Sequence, residues 1–147
     1  MKILIDTNII LDVLLKREPF YKAAIEVLNL AKKDNVQEYV SASAITDIYY
    51  LSYRQLKNKK LAKELLKELL AVVSVSYVSE QEISKALELE WNDFEDSVQY
   101  SVALLQEMNC IVMRNVDDYK ESEIQVWLPE QVLKAIEMNE KSLSIDS

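Results

Sequence analysis

The sequence predicts an α/β protein, a three-layer α/β/α sandwich with a mostly parallel central sheet. Short runs of β-branched and aliphatic residues, such as ILI at 3–5 and CIVM at 110–113, have the length and composition of buried strands. Longer segments, whose apolar residues recur at helical spacing, lie between these runs. Strands that alternate with helices indicate a parallel sheet covered by helices on both faces.

The first half of the chain predicts two strands and four helices. Residues 2–5 form a strand that stops at Asp6, and a helix over 8–16 follows directly. Pro19 suits the start of a second helix, whose apolar residues recur at helical spacing to about Ala31. By the same reasoning the remaining elements are a strand at 38–41 and helices at 44–55 and 58–70.

The second half of the chain predicts three strands and three helices. The run VVSVSYV at 72–78 is β-rich, and Ser79 followed by Glu82 is a capping box that opens a helix to about Glu90. Pro129 starts the last helix, which runs to about Met138. The elements between them are a helix at 93–108 and strands at 110–113 and 124–127.

The domain organisation and cellular setting are simple. No linker or repeat interrupts the chain, so we expect one domain over residues 1–138 and a frayed tail over 139–147. No apolar run approaches the roughly 20 residues that a membrane span needs. The single cysteine, Cys110, lies in an apolar strand and is expected to be a buried thiol. We expect a cytoplasmic protein that has no contact with a membrane.

The composition excludes several classes of active site. The chain has 147 residues, a net charge of −8, no histidine and no glycine. Without histidine there is no Ser-His-Asp or Cys-His catalysis and no His-rich zinc site. Without glycine there is no Walker A or dinucleotide-binding loop. The negative charge argues against broad binding to nucleic-acid phosphates, unless divalent cations bridge acidic side chains to a phosphate substrate.

Acidic and amide side chains follow the predicted strands or open the predicted helices. In a parallel sheet these segments can lie at one edge, where ligands of open α/β sheets bind. Converging carboxylates repel one another, and an all-oxygen cluster suits Mg²⁺ or Mn²⁺. The residues concerned are Asp6, Asp47, Asp93, Asp96, Asn115, Asp117 and Asp118.

Each of these residues also has a purely structural explanation. Asp6 suits a helix N-cap, and Asp93 with Asp96 suits an N-cap and its partner in the first turn. Asp47 suits a solvated or capping side chain, and Asp117-Asp118 suits a turn. We interpret two further acids, Asp12 and Glu95, as solvated helix or ion-pair residues.

Four segments, taken in order, resemble those of the PIN-domain family of nucleases. They are ILIDTN at 3–8, ASAITDIYYL at 42–51, DFEDSVQYSVA at 93–103 and IVMRNVDDY at 111–119. The resemblance covers roughly residues 2–128 and implies a PIN-like fold. It departs from the family pattern at Met113, where a hydroxyl residue is usual, at Asn115, where an acid is frequent, and at Asp47, where many members have Glu.

The resemblance implies a metal-dependent endoribonuclease that hydrolyses RNA phosphodiester bonds. Asp6, Asp47, Asp96 and Asp118 would hold Mg²⁺ or Mn²⁺ and activate a water molecule. The remaining residues implied are Thr7, Asn8, Asp93 and Asn115 as accessory groups and Arg114 as a contact to substrate phosphate, although Arg114 also suits a surface charge.

The resemblance also concerns partners, because the family includes VapC-like toxins of toxin–antitoxin pairs. It implies a small antitoxin protein, and tyrosines on one helix (Tyr49, Tyr50, Tyr53) suit either a homodimer contact or core packing. The alternative function is a PIN-like module with degraded catalysis that binds RNA or protein. A phosphatase with a nucleophilic aspartate is disfavoured, because Asn8 stands where its second aspartate would be.

Overall fold

The computed structural model describes residues 1–146, which fold around a five-stranded sheet. The strands are β1 (Lys2–Ile5), β2 (Gln37–Ser41), β3 (Ser74–Ser76), β4 (Cys110–Val112) and β5 (Gln125–Trp127). The helices are α1 (Thr7–Leu14), α2 (Tyr21–Asn29), α3 (Ala42–Leu56), α4 (Lys59–Leu70), α5 (Glu80–Glu88), α6 (Phe94–Leu105) and α7 (Pro129–Asp146). Short 3₁₀ helices occur at Leu30–Lys32 and Val116–Tyr119.

Every strand pairing in the described sheet is parallel, and the strand order is β3-β2-β1-β4-β5. The first strand therefore lies at the centre, with Ile3 opposite Glu38 on one side and Cys110 on the other. Its residues 3–5 are fully buried, which explains why the run ILI lacks the alternation of a half-exposed strand. The predicted α/β class and parallel sheet are confirmed.

The sheet separates two hydrophobic cores, which makes the three layers. One core joins α1, α2, α3, α4 and α7 to one face through residues such as Ile9, Val27 and Ile48. The other joins α5 and α6 to the opposite face through Val98 and Val102, together with Leu4 and Ile111 of the strands. All strand carboxyl ends point to one edge, because the strands are parallel.

Helix ends in this glycine-free chain require other residues in the left-handed region. Lys16, Lys57 and Glu107 have positive φ values of 49°, 54° and 57°. Lys57 caps the C-terminus of α3, and its backbone N–H donates to Tyr53 O over 2.7 Å. A side chain with a Cβ normally disfavours this conformation by roughly 1–2 kcal/mol, so these helix ends are strained.

The C-terminal part of the chain differs from the prediction. The last helix does not end at about Met138 but continues to Asp146. Two ion pairs lie along the extended helix: Lys33 Nζ lies 2.6 Å from Glu140 Oε1, and Lys141 Nζ lies 3.1 Å from Glu137 Oε1. The final residue of the predicted tail, Ser147, lies outside the described residues. None of the helices within residues 1–146 is long and apolar enough to cross a membrane.

Candidate active site

A polar cleft of about 530 Å³ opens at the carboxyl edge of the sheet. It is lined by segments that are far apart in sequence and that the parallel topology brings to one place. Among the predicted site residues, those lining it are Asp6, Thr7, Asn8, Asp47, Asp93, Asp96, Asn115 and Asp118. Of the residues singled out in the sequence, Arg114 and Asp117 are not among those that line it.

Asp6 lies between the central strand and α1, and both of its carboxylate oxygens accept hydrogen bonds. Oδ2 accepts from the backbone N–H of Asn8 over 3.1 Å, which makes Asp6 the N-cap of α1. Oδ1 accepts from Nε2 of Gln99 over 3.1 Å. Burial raises the pKa of Asp6, and the hydrogen bond from Gln99 opposes that rise. Asp6 is therefore both a cap and a carboxylate oriented toward the cleft.

Asp47 lies in the second turn of α3, which begins at the end of β2. Ser41 caps this helix, because its Oγ accepts from the backbone N–H of Ser43 over 3.3 Å. Facing Asp47 across the cleft is Glu95, whose pKa is raised by desolvation and then by the charge of Asp47. Glu95 is exposed, as expected of a solvated acid, but its charged neighbours are carboxylates and not the cation of an ion pair. Sequence reasoning therefore missed Glu95 as a site residue.

Asp93 and Asp96 open α6 on the other face of the sheet. Asp93 Oδ1 accepts from the backbone N–H of Asp96 over 3.0 Å, so the capping interpretation is correct for Asp93. This leaves the Asp96 carboxylate free to enter the cleft, where its Oδ1 accepts from the Tyr119 hydroxyl over 3.1 Å. Desolvation and the adjacent charge of Asp93 raise the pKa of Asp96 to about 6.

A buried network of hydrogen bonds holds the carboxylates of Asp6 and Asp96 in place. Gln99 is buried, and its Nε2 donates both to Asp6 Oδ1 and, over 2.9 Å, to the Tyr119 oxygen. The Tyr119 hydroxyl in turn donates to Asp96, so Asp6 and Asp96 are held by one chain of hydrogen bonds. The sequence carried a signal for Gln99, because it lies three residues after Asp96 on the same helical face.

The segment after β4 supplies the remaining wall. Asp118 and Asn115 both line the cleft, whereas Asp117 lines the adjoining surface groove and not the cleft. Asp118 and Asp117 lie on one 3₁₀ turn, Val116–Tyr119, as the turn interpretation predicted. Of this acidic pair, Asp118 is thus the one placed to act in the cleft.

Arg114 is held away from the cleft by Asp12. Its Nε lies 3.1 Å from Asp12 Oδ2, and its guanidinium carbon lies 3.9 Å from the centre of the Phe20 ring. Asp12 is fully buried and also pairs with Arg17, whose Nε lies 2.9 Å from Oδ1. The expectation that Asp12 is solvated is wrong, and the ion-pair interpretation is correct. Arg114 thus has partners within the fold, and its contact with substrate phosphate stays a prediction.

The donor chemistry of the cleft fits a hard divalent cation. Its acidic and amide side chains offer oxygen donors, and desolvation followed by repulsion between carboxylates raises the pKa values of Glu95 and Asp96. Within the described residues, however, no three acidic side chains are grouped closely enough to ligate one ion together. This arrangement fits Mg²⁺, which commonly keeps several waters and takes only one or two protein carboxylates.

Comparison with known proteins gives a consistent family. A family model described as the PIN domain matches residues 2–117. Comparison with curated proteins gave no match.

Several solved structures have a similar fold. VapBC2 from Rickettsia felis, solved bound to a DNA fragment from the promoter, has a TM-score of 0.68 and 19% identity, over 87% of this chain and 98% of that one. VapBC-1 from nontypeable Haemophilus influenzae has a TM-score of 0.68 and 19% identity, over 88% and 99%. Mycobacterium tuberculosis VapC20, described as a sarcin-ricin loop cleaving toxin, has a TM-score of 0.66 and 15% identity, over 84% and 98%. At these identities the likeness concerns the fold.

Proposed function

Because this chain belongs to the PIN-domain family, we propose that it is a divalent-metal-dependent endoribonuclease. The substrate class is RNA, and the bond that is hydrolysed is a phosphodiester. One observation carries the proposal: Asp6, Asp47, Asp96 and Asp118, from four separate segments, line a single cleft. N-cap chemistry explains Asp6 and a turn explains Asp118, but neither requires all four carboxylates to meet at one edge of the sheet.

We assign the holding of Mg²⁺ or Mn²⁺ to these four carboxylates, directly or through water. When bound, a divalent cation lowers the pKa of a water molecule and offsets charge that develops on the phosphate in the transition state. Gln99 and the backbone N–H of Asn8 fix the orientation of Asp6. Tyr119 fixes Asp96 in the same way, so the carboxylates are oriented before a metal or substrate arrives.

The accessory residues have narrower roles. Asp93 caps α6, and its charge adds to desolvation in raising the pKa of Asp96. Thr7 lines the cleft at the start of α1, where a hydroxyl is placed to donate to a phosphate oxygen. Asn115 offers an amide oxygen and two N–H donors to the cleft in place of an acid.

The test is cleavage of a labelled single-stranded RNA with Mg²⁺, with Mn²⁺ and with a chelator. We expect cleavage with either metal, no cleavage with the chelator, and a loss of at least 100-fold in kcat for Asp6→Asn and Asp96→Asn. The kcat of Asp118→Asn should fall by a similar factor, whereas Asp117→Asn should retain activity because Asp117 does not line the cleft. Undiminished cleavage by folded Asp96→Asn would overturn the assignment.

We also propose an antitoxin partner and a homodimer. Structures similar in fold are described as VapBC complexes and as a toxin–antitoxin complex, and that description supports a small protein partner for this chain. Co-expression with the product of an adjacent short reading frame should inhibit RNA cleavage at one-to-one stoichiometry. Light scattering of the purified chain should give twice the monomer mass. A monomer that no neighbouring gene product inhibits would contradict both.

The second candidate is a PIN-like module that binds RNA or protein without cutting. Asn115, which lines the cleft as an amide where the family frequently has an acid, favours it. Thermal unfolding with Mn²⁺ distinguishes the two functions, because a ligand that binds only the folded state raises Tm. A Tm rise together with cleavage supports the nuclease, and neither effect in any divalent metal supports the module.

A further inference from the structure

One face of α3 continues from the acidic cleft toward solvent. Ser43, Asp47, Tyr50 and Arg54 all line the cleft, and their spacing of three to four residues places them along one side of the helix. Along α3, Asp47 comes first, Tyr50 follows one turn later, and Arg54 lies in the last turn of the helix. This side of the helix therefore presents a carboxylate, then an aromatic ring and then a guanidinium group.

Arg54 is the one cation among the described residues that line the cleft. The other arginines near it are already engaged: Arg17 pairs with Asp12 and donates to Asn8 O over 3.1 Å, and Arg114 pairs with Asp12. Arg54 is exposed, and no ion pair holds it within the described part of the chain. An uncommitted guanidinium beside a cluster of carboxylates is suited to bind an anion that reaches into the cleft.

Tyr50 supplies an aromatic surface between the acids and Arg54. Tyr50 is 59% exposed, so its ring is accessible from solvent at the cleft. The Tyr50 ring packs against Tyr49, with the two ring centres 5.4 Å apart in an edge-to-face arrangement. Tyr49 also stacks on Tyr53. The exposed ring is thus held in place and leaves a face available for stacking.

We propose that Tyr50 and Arg54 bind single-stranded RNA beside the bond that is cut, with Tyr50 stacking on a base and Arg54 binding a backbone phosphate. This inference rests on the proposed nuclease function, because it extends the same cleft. Successive bases on aromatic side chains and phosphates on arginines are the two contacts by which proteins follow a single strand. The overall negative charge increases the weight of each such contact, since the chain offers little general attraction for phosphates.

The position of Arg54 predicts which kinetic constant changes. Arg54 lies seven residues after Asp47, a rise of about 10 Å along the helix, so it reaches a phosphate that flanks the reacting one. A contact to a flanking phosphate is equally strong in the ground state and in the transition state. Its loss therefore raises KM and leaves kcat unchanged.

The experiment measures RNA cleavage by Arg54→Gln against wild type between 50 and 300 mM salt. We expect a KM rise of about tenfold, an unchanged kcat, and a slope of log(kcat/KM) against log(salt) that is less negative by about 0.7, as for one lost phosphate contact to a single strand. The control is Lys63→Gln, which removes one positive charge from an exposed position of α4 outside the cleft. It should change neither KM nor kcat.

Tyr50 is tested by a pair of variants. Tyr50→Phe keeps the stacking face and should retain the wild-type KM, whereas Tyr50→Ala should raise KM by about fivefold or more. A merely structural role for Tyr50 would instead lower Tm in Tyr50→Ala without a selective effect on KM.

A binding measurement keeps this inference separable from the proposed function. Anisotropy of a fluorescent single-stranded RNA is measured with Asp6→Asn alone and with Asp6→Asn combined with Arg54→Gln or Tyr50→Ala. Weaker binding by both double variants supports the inference even if no cleavage is seen. If wild type cuts RNA but Arg54→Gln keeps its KM and salt slope, the inference is wrong and the nuclease stands. Absence of RNA binding by the Asp6→Asn protein also overturns it.

Discussion

The side-chain amide of Gln99 donates a 3.1 Å hydrogen bond to Oδ1 of Asp6, although 93 residues separate them in the sequence. The same Nε2 lies 2.9 Å from the Tyr119 oxygen, which contacts Asp96. A single buried amide therefore sets the orientation of two carboxylates from different layers of the fold.

Replacing Gln99 by leucine should lower the affinity of the cleft for a divalent cation more than it lowers the stability of the fold. The change keeps the approximate volume but removes the donor to Asp6, so we expect Mn²⁺ affinity to fall by about 10–100-fold, as for loss of an outer-shell partner. Calorimetric titration with Mn²⁺ measures this, with Gln81→Leu on the exposed face of α5 as the matched control. Equal Mn²⁺ affinity in Gln99→Leu and wild type would show that Asp6 needs no such support.

Replacing Arg114 by glutamine should destabilise the protein without changing KM. Arg114 offsets the buried charge of Asp12 and stacks on Phe20, so its loss removes contacts within the fold. We expect a loss of about 1–2 kcal/mol in urea unfolding, reduced from the buried-pair value because the Arg114 side chain is partly exposed. A raised KM with unchanged stability would instead restore Arg114 as a substrate contact.

Replacing Asp12 by asparagine gives the complementary measurement. It leaves both Arg17 and Arg114 without their buried counter-charge, so the free energy of unfolding should fall by about 2–4 kcal/mol, more than for either arginine variant. The double variant Asp12→Asn with Arg114→Gln should lose less than the sum of the two single changes, because the residues interact directly. Strict additivity would contradict the pairing.

Replacing Glu38 by glutamine should make stability less dependent on pH. Glu38 is buried, neither of its carboxyl oxygens has a hydrogen-bond partner within the described residues, and burial raises its pKa from 4.5 to about 8. Because the folded pKa lies above the unfolded one, the stability present below pH 4.5 is lost progressively as pH rises to about 8.

The measurement is urea unfolding of wild type and Glu38→Gln from pH 5 to pH 9. The stability of the variant relative to wild type should increase by roughly 1 kcal/mol per pH unit up to about pH 8 and then level off. The difference between the two proteins removes the contribution of the cleft acids, which titrate in both. Parallel curves would show that the Glu38 carboxyl ionises as it does in the unfolded chain.

Replacing Lys57 by glycine should stabilise the protein, although glycine usually weakens helices. Lys57 has φ 54° and ψ 35° at the end of α3, where glycine carries no Cβ penalty, so we expect a gain of about 0.5–1 kcal/mol. Lys63→Gly, inside α4, should lose about 1 kcal/mol. Calorimetric Tm values that shift in the same direction for both variants would contradict this account of the helix end.

Much of the fold followed from local patterns. The apolar runs and helical spacing predicted five strands and seven helices, and each begins within a few residues of its predicted start. The largest difference is at the end of α7, which continues past Met138 and forms ion pairs with Lys33 and between its own side chains. Such contacts join distant residues or depend on side-chain geometry, so periodicity carries no signal for them.

The sequence by itself determined that acids follow the strands and that histidine and glycine chemistry is absent. Whether a particular acid serves the cleft or the fold was decided by the tertiary structure alone. Asp12, which resembled a surface charge, is buried between two arginines, whereas Glu95, which resembled the same, faces Asp47 across the cleft. The physical reason is that the environment of a carboxylate depends on which side chains from other segments surround it, and only packing brings those segments together.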